Sequence, residues 1–313
     1  MKVLLVQDIA REGWEYLRAL GYEVALASDP SAETVRREIA GCDGAIVRIA
    51  PFGADVMEAA AGRLKVVARH GVGVDNIDLK AATRLGIQVT NGPLSNANSV
   101  AEHAVAMMLA LSRGLKGLDR MVREGRFADR TRVLMGDLFG KTAGIVGFGH
   151  IGSRVAEICH FGFQMQILTC PHRPRPLPDY VAPVSFDELL AHSDFVLLHI
   201  PSTPETRGLI GDAQLRRMKR SAILINLSRG EVWDEPAVAW ALRSGGIAAA
   251  GTDVYAVEPP PEDHPFRSLE NMLLSPHCGA HTAEAYANMA LHAAQGVHEV
   301  LSGQTPTWPV NRL

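Results

Sequence analysis

Residues 142–161, TAGIVGFGHIGSRVAEICHF, decide the fold. The apolar run Ala143–Val146 reads as a strand and SRVAEICHF as the start of a helix. Between them stand Gly147, Phe148, Gly149, His150, Ile151 and Gly152. A bare G-x-G-x-x-G is a weak signal, but a strand before it and a helix after it supply the context its mechanism needs. Gly147 permits a tight turn, Gly149 lets backbone approach a pyrophosphate, and Gly152 lets helix and strand pack closely. The N–H groups opening the helix then face the phosphates, with Phe148, His150 and Ile151 in the same contact zone. A glycine-rich turn with no ligand is the bland alternative.

Outward from this point the chain is a strand–helix alternation. Before it, strands are expected at Val3–Val6, Glu23–Leu26, Ala45–Val47, Val66–Ala68 and Gln88–Val89, with helices at Gly13–Leu20, Ala32–Ile39, Ala54–Ala60 and Leu79–Leu85. After it, strands are expected at Gln166–Leu168, Phe195–His199, Ala222–Asn226, Ala248–Thr252 and Met272–Leu274, and a last helix at Ala283–Leu301. Such alternation implies βαβ units and parallel sheets covered on both faces. Gly21, Gly41 and Gly86 sit where helix stops are expected. Ser99 with Glu102 fits a capping box for a helix whose run from Val100 to Leu111 is apolar nearly all round, an ordinary core helix or one buried between domains or subunits.

With 313 residues the chain suits two domains. The expectation is α/β: two doubly wound parallel-sheet domains, a Rossmann cofactor domain (100–282) inserted in a flavodoxin-like substrate domain (1–99 plus 283–313), with the substrate in the cleft between them. Net charge is −3, so nothing favours nucleic acid or an acidic membrane as partner. The four cysteines, Cys42, Cys159, Cys170 and Cys278, show no CxxC spacing, so neither a zinc site nor a disulfide scaffold is indicated, and no metal is expected. The longest apolar run, Ala104–Leu111, is too short to span a membrane. Cytoplasm is the default compartment.

In an NAD-binding fold an acidic residue about 20 positions past the glycines bonds the ribose 2′-OH. Here the strand runs into Cys170, Pro171, His172 and Arg173, and no carboxylate follows until Asp179. Arg173, Arg175 and His172 suit a 2′-phosphate instead, so the nicotinamide cofactor, NAD(P), is expected to be NADP. The alternative is a solvated arginine loop and NAD held without its usual anchor.

Three residues follow predicted strands on the carboxyl side, where open α/β sheets bind ligands: Arg229 in NLSRG, Glu258 in DVYAVEP and His277 in SPHCGAHT. Singly, each is more often a surface group than a catalyst. Together with GIVGFGHIG (144–152), LLHIPSTPETRGLI (197–210), INLSRGE (225–231) and RHGVGVDNIDL (69–79), they resemble the D-isomer-specific 2-hydroxyacid dehydrogenase family through nearly the whole chain. The resemblance implies an enzyme moving a hydride between a nicotinamide and a D-2-hydroxyacid/2-ketoacid pair. It makes His277 the general acid–base, Glu258 its partner, and Arg229 the ligand of the substrate carboxylate. It adds His199 and Pro201 beside the adenosine, Leu227 and Arg229 at the nicotinamide ribose, Asp253 on the carboxamide, and Gly279 closing the site after His277. It gives the N–H groups of Val72 and Gly73 to the substrate carboxylate and places Arg48 and Arg69 at positions similar to those of 3-phosphoglycerate dehydrogenases. The long forms' regulatory domain has no counterpart, and a homodimer through the helix from Ser99 is implied.

Three positions depart from that family pattern. Cys170 stands in place of the acid, Trp233 replaces a small aliphatic near Arg229, and Cys278 lies beside the acid–base histidine. His281 is the rival acid–base, four residues on. A non-enzymatic dinucleotide sensor of the same fold would need extended tails. Formate oxidation is disfavoured because Glu258 stands where that relative has Gln.

Overall fold

The computed structural model describes residues 1–60 and 62–313. The chain divides into two compact units, Met1–Asn98 with Ala280–Leu313, and Ser99–Gly279. These divisions fall at 98/99 and 279/280, where the sequence places them at 99/100 and 282/283. His281 belongs with the first unit, its ring meeting that of Tyr286 edge-on with centroids 6.4 Å apart.

The first unit runs β1 (Lys2–Leu5), α1 (Arg11–Ala19), β2 (Glu23–Leu26), α2 (Ala32–Ile39), β3 (Gly44–Val47), α3 (Ala54–Ala59), β4 (Val66–Arg69), α4 (Leu79–Arg84) and β5 (Gln88–Thr90). Its five strands are parallel in the order β2-β1-β3-β4-β5, the flavodoxin-like order. Successive residues go to opposite faces. Leu4, Ala45, Val47 and Val67 join a core with Val35, Ile39, Val56 and Ala81 of α2, α3 and α4. Val3, Leu5, Ile46 and Val66 face the other way, onto Leu17 of α1 and onto Ala290, Ala293 and Val297 near the chain's end. Both faces are therefore apolar, which is why the strands read as unbroken Val/Ile/Leu runs. Gly21 and Gly86 take positive φ, as helix stops do. Gly41 does not: α2 ends at an Ala40 cap in ordinary right-handed geometry, so no left-handed residue is needed there.

The second unit follows with α5 (Ala97–Ser112), α6 (Leu115–Arg123), β6 (Thr142–Val146), α7 (His150–Phe163), β7 (Gln166–Thr169), β8 (Val181–Pro183), α8 (Phe186–His192), β9 (Phe195–Leu198), α9 (Asp212–Leu215), β10 (Ile223–Asn226), α10 (Glu235–Ser244), β11 (Ala249–Thr252) and β12 (Met272–Leu274). α11 (Ala283–Leu301) closes the chain in the first unit, packed on α1. The seven strands are all parallel, ordered β12-β11-β10-β9-β6-β7-β8. The order reverses between β6 and β9, the switch point where doubly wound sheets hold ligands.

Two expectations need correction. Ser99 does not stand at a cap position: α5 already starts at Ala97, so Ser99 lies in its first turn. Asn96, Asn98 and Ser99 are all cap-type residues, and local chemistry alone does not choose among them. The edge strand β8 is absent from the sequence reading because it is three residues long and ends in Pro183, which a sheet tolerates only at its margin.

Candidate active site

The carboxyl ends of β6, β9, β10, β11 and β12 lie along one edge of the larger sheet, so the residues that follow each strand share a rim. β6 passes into Gly147, with φ +98°, where an added Cβ would stand 2.3 Å from the His199 carbonyl oxygen. A Cβ on Gly152 would stand 2.1 Å from the Gly147 carbonyl oxygen. Both positions require glycine for close packing within the protein. Gly149 does not: a Cβ there meets nothing within 4 Å. Gly149 is also the cap of α7 and supplies no side-chain acceptor, which leaves the first-turn N–H groups of His150 and Ile151 without a cap.

Beside this loop both ring nitrogens of His199, and Ser202 Oγ, are shielded from solvent with no partner among the described residues. Burial pushes the His199 pKa down to about 4, so the ring is neutral. Uncapped amides, an open Cβ position and orphaned polar atoms in one place fit a phosphate-bearing dinucleotide. Pro201 is exposed and Leu227 buried.

After β7, Cys170 is half-buried and burial raises its thiol pKa, so it offers no charge. His172 and Arg173 are exposed. The charge of His172, after a Thr203 hydrogen bond, contributes to holding the Glu205 carboxyl below its usual range. Arg175 donates from Nη1 to the Phe148 carbonyl at 2.6 Å, which carries a guanidinium onto the glycine loop.

On the far side of the rim, β10 ends at Asn226, whose side-chain NH₂ donates to the Arg229 carbonyl at 2.9 Å, while its Oδ1 accepts from the Ser228 amide and hydroxyl. That closed turn fixes Arg229. Gly230 follows, seated against the backbone of Tyr255 and Ala256. β11 ends at Thr252, and the next residue, Asp253, is 3% exposed. Its Oδ1 accepts from Ser275 Oγ at 2.5 Å and the Cys278 amide at 2.9 Å, and its Oδ2 accepts from the Gly279 amide at 2.7 Å. The carboxylate thus clamps the loop after β12 on both sides of His277. Ser275 gives its proton to Asp253, so His103 Nε2, 3.1 Å from Ser275 Oγ, is the donor in that contact. His103, Asp253 and Cys278 carry ligand-type atoms within 4.8 Å of one another. Three donors already engage the Asp253 carboxylate, and burial with the Asp253 charge raises the Cys278 thiol pKa, so the trio is explained by its own hydrogen bonds.

His277 itself adopts φ +52°, a left-handed backbone that costs a non-glycine residue free energy and is found where function requires it. Its Nδ1 lies 2.7 Å from Glu258 Oε2, which makes Nδ1–H the donor and leaves Nε2 free to exchange a proton. The Glu258 hydrogen bond raises the His277 pKa above its ordinary value; burial opposes this, the charges of Glu258 and Asp253 add to it, and Arg229 subtracts. For Glu258, burial works upward. The His277 hydrogen bond, the Tyr255 N–H and the charges of His277 and Arg229 outweigh it and hold the carboxyl below the usual range. His277 and Glu258 are therefore joined directly, with Arg229 in electrostatic reach of both. Among the described residues His281 has no such carboxylate, and its ring meets that of Tyr286 instead.

In the first unit, Arg48 donates to the Asp8 carbonyl at 2.9 Å and lies over the Tyr286 ring at 4.9 Å. Arg69 donates to the His70 carbonyl. His70 is 3% exposed, and burial followed by the charges of Arg48 and Arg69 drives its pKa down to about 3. The Val72 carbonyl is held by Asn91 Nδ2 at 2.8 Å, which leaves Val72 and Gly73 in an irregular turn beyond β4.

Trp233, 2% exposed, packs edge-on against Phe266 with centroids 5.6 Å apart and stiffens the segment after Arg229. Tyr255 and Ser275, which stand inside the DVYAVEP and SPHCGAHT motifs but carry no role in the sequence reading, also shape the site. So do Glu235 and His264, which lie outside every motif and offer only their closeness in the chain to Arg229 and Glu258.

A family described as "D-isomer specific 2-hydroxyacid dehydrogenase, NAD binding domain" matches residues 105–279. The chain is 40% identical over 307 residues to a D-3-phosphoglycerate dehydrogenase of Archaeoglobus fulgidus, covering 97% of this chain and 58% of that one. It is 39% identical over 323 residues to a glyoxylate reductase of Korarchaeum cryptofilum, covering 99% and 96%. Among solved structures, the TT0316 protein of Thermus thermophilus superposes with a TM-score of 0.91 at 35% identity, covering 99% and 100%. The chain thus spans 58% and 50% of the first D-3-phosphoglycerate dehydrogenases it matches, and nearly all of the glyoxylate reductase.

Proposed function

The chain belongs to the D-isomer-specific 2-hydroxyacid dehydrogenase family, and from that premise we propose that it interconverts a 2-ketoacid and its D-2-hydroxyacid. The observation that carries this reading is the 2.7 Å contact of His277 Nδ1 with Glu258, at the strand rim that also bears Arg229. A bound reduced nicotinamide supplies the hydride that C2 of the ketoacid accepts. His277, protonated at Nε2, gives its proton to the carbonyl oxygen, and takes one back in the oxidative direction. Glu258 holds the ring's tautomer and stabilises the imidazolium. The Arg229 guanidinium binds the substrate carboxylate in the plane and polarises the carbonyl. Asp253 would accept from the carboxamide of a bound nicotinamide, and Gly279 would close the site after His277. In the first unit, the amides of Val72 and Gly73 and the cations Arg48 and Arg69 are assigned to the substrate's anionic groups.

The cofactor residues are Gly147 to Gly152, His199, Pro201 and Leu227, and the reading favours NADP. Cys170 brings no acid to the ribose, whereas His172 and Arg173 stand exposed beside it and Arg175 is pinned to Phe148. A homodimer is proposed through α5, α6 and the following turn, where Leu115, Val122, Phe127 and Leu134 are 51–97% exposed. No described helix is long and apolar enough to cross a membrane, and the reaction is assigned to the cytoplasm. The test is a steady-state screen of 2-ketoacids with NADH and with NADPH. Turnover that prefers NADPH supports the full reading, and no turnover with any ketoacid overturns it.

A further inference from the structure

Behind the His277–Glu258 pair lies a second histidine–carboxylate pair with its own geometry. Glu235 opens α10 directly after Asp234, whose side chain caps the helix by accepting from the Ala237 amide at 2.9 Å. The Glu235 carboxylate turns away from its helix. Its Oε1 accepts from the Ala256 amide at 3.0 Å and its Oε2 lies 3.1 Å from His264 Nε2. Both side chains are nearly buried, 12% and 6% exposed. His264 Nδ1 accepts from the Phe266 amide at 3.4 Å, so a neutral ring carries its proton on Nε2 and donates it to Glu235. Each oxygen of a buried carboxylate thus has one defined partner.

Ala256 directly follows Tyr255, whose amide aims Glu258. The Tyr255 amide donates to Glu258 Oε1 at 3.1 Å, the Tyr255 hydroxyl donates to the Ser275 carbonyl at 3.0 Å, and the Tyr255 ring meets His264 edge-on at 5.7 Å. From below, Gly230 presses on the same peptide. The Glu235 hydrogen bond is what restrains the loop from the side of α10. We propose that Glu235, held by His264, is a positioning residue: it fixes the Ala256 peptide so that Glu258 meets His277 Nδ1 head-on, and thereby sets how strongly the imidazole holds its proton. The groups facing His277 are Glu258, Asp253 and Arg229. Asp253 opens the same loop but is held separately by Ser275 and the Cys278 and Gly279 amides, so loosening Glu235 acts on Glu258 and weakens the contact that raises the basicity of His277 most. The consequence for turnover rests on the acid–base role proposed above, while the effect on the ring does not.

The experiment follows the His277 ring protons by NMR across pH in the full chain, for the parent, Glu235→Ala, Glu235→Gln and His264→Ala, with Glu258→Gln as reference. Glu235→Ala is expected to lower the His277 midpoint in the direction of the Glu258→Gln value. Glu235→Gln, which keeps an acceptor for the Ala256 amide, is expected to restore most of it. In ketoacid reduction Glu235→Ala is expected to lose roughly tenfold in kcat, a part of the 10²–10⁴ typical of acid–base catalysis, with KM little changed. A lower melting temperature with an unmoved His277 midpoint overturns the proposal, since that is what a merely structural pair produces. Should Glu235→Ala not fold, His264→Ala, which removes the residue that holds the Glu235 carboxylate, carries the same comparison against the parent, and an unmoved His277 midpoint there overturns the proposal equally. A shifted midpoint in a protein that reduces no ketoacid supports the positioning role and instead removes the dehydrogenase reading.

Discussion

Replacing Gly230 by alanine tests the site at the point where its parts touch. A Cβ at Gly230 stands 1.9 Å from the Tyr255 carbonyl carbon, 2.1 Å from the Ala256 nitrogen and 2.3 Å from the Tyr255 oxygen. Ordinary contact begins near 3.4 Å, so the two backbones must separate by about 1.5 Å. No side chain can rotate to relieve this, because every opposing atom is main chain. The Gly230 side is anchored by Val232 and Trp233, 0% and 2% exposed, so the movement falls on the loop that carries Glu258. Overpacking of this kind costs roughly 1–3 kcal/mol, and in a unit of this size each kcal/mol lowers the melting temperature by roughly 2–4 °C. If His277 and Glu258 act as proposed, a shift of about 1 Å between them costs about 10² in rate. Calorimetry and steady-state ketoacid reduction read the two effects separately. If Gly230→Ala melts with the parent and turns over within about threefold of it, well short of that 10² loss, then the tight seat is not what holds the loop in place.

Other outcomes follow from the same geometry. Arg229→Ala is expected to cut turnover by about 10³ or more with cofactor affinity nearly intact if, as proposed, its charge binds the substrate carboxylate; nicotinamide fluorescence titration and stopped-flow assays together check this, and surviving activity removes its role. In Glu258→Gln the alkaline fall of ketoacid reduction should move to lower pH: His277 must be protonated to act as the acid, the Glu258 hydrogen bond raises its pKa, and without that bond the proton is lost sooner as pH rises. An unshifted pH–rate profile contradicts this. Arg173→Ala should weaken NADPH binding more than NADH binding in calorimetric titrations, and equal effects would argue against contact with a 2′-phosphate. Asn311→Ala tests the first unit alone. Asn311 accepts from the Val89 amide at 2.7 Å and from Gln88 Nε2 at 2.9 Å, and donates to the Ile87 carbonyl at 2.9 Å. Stranding these buried groups should cost about 2–4 kcal/mol, seen as a lower urea midpoint at constant slope.

The elements are legible where local pattern and tertiary need coincide. Glu23–Leu26, Ala32–Ile39, Met272–Leu274 and Ala283–Leu301 match the structure end to end, since each is a periodic run closed by a cap or a turn. Ser99 misleads because several cap-type residues lie together and helix entry is set by packing. β8 gives no signal, being short and ending in proline at a sheet edge. The Glu235–His264 pair is invisible for a different reason: Glu235 meets Ala256 and His264 across 21 and 29 residues, beyond any periodic pattern.

By itself, the order of residues determined that this protein is built from two strand–helix series, because side-chain alternation and glycine punctuation act over a few positions. It also marked the turn after β6, because a strand, a glycine-rich turn and a helix follow one another there without a gap. The meeting of His277 with Glu258 in electrostatic reach of Arg229, and the clamp of Glu235 behind them, were decided by tertiary structure. Strands β10, β11 and β12 are neighbours in a parallel sheet. Adjacent strands lie only about 4.8 Å apart, so the residues that follow their ends are gathered within hydrogen-bonding range however far apart they stand along the chain.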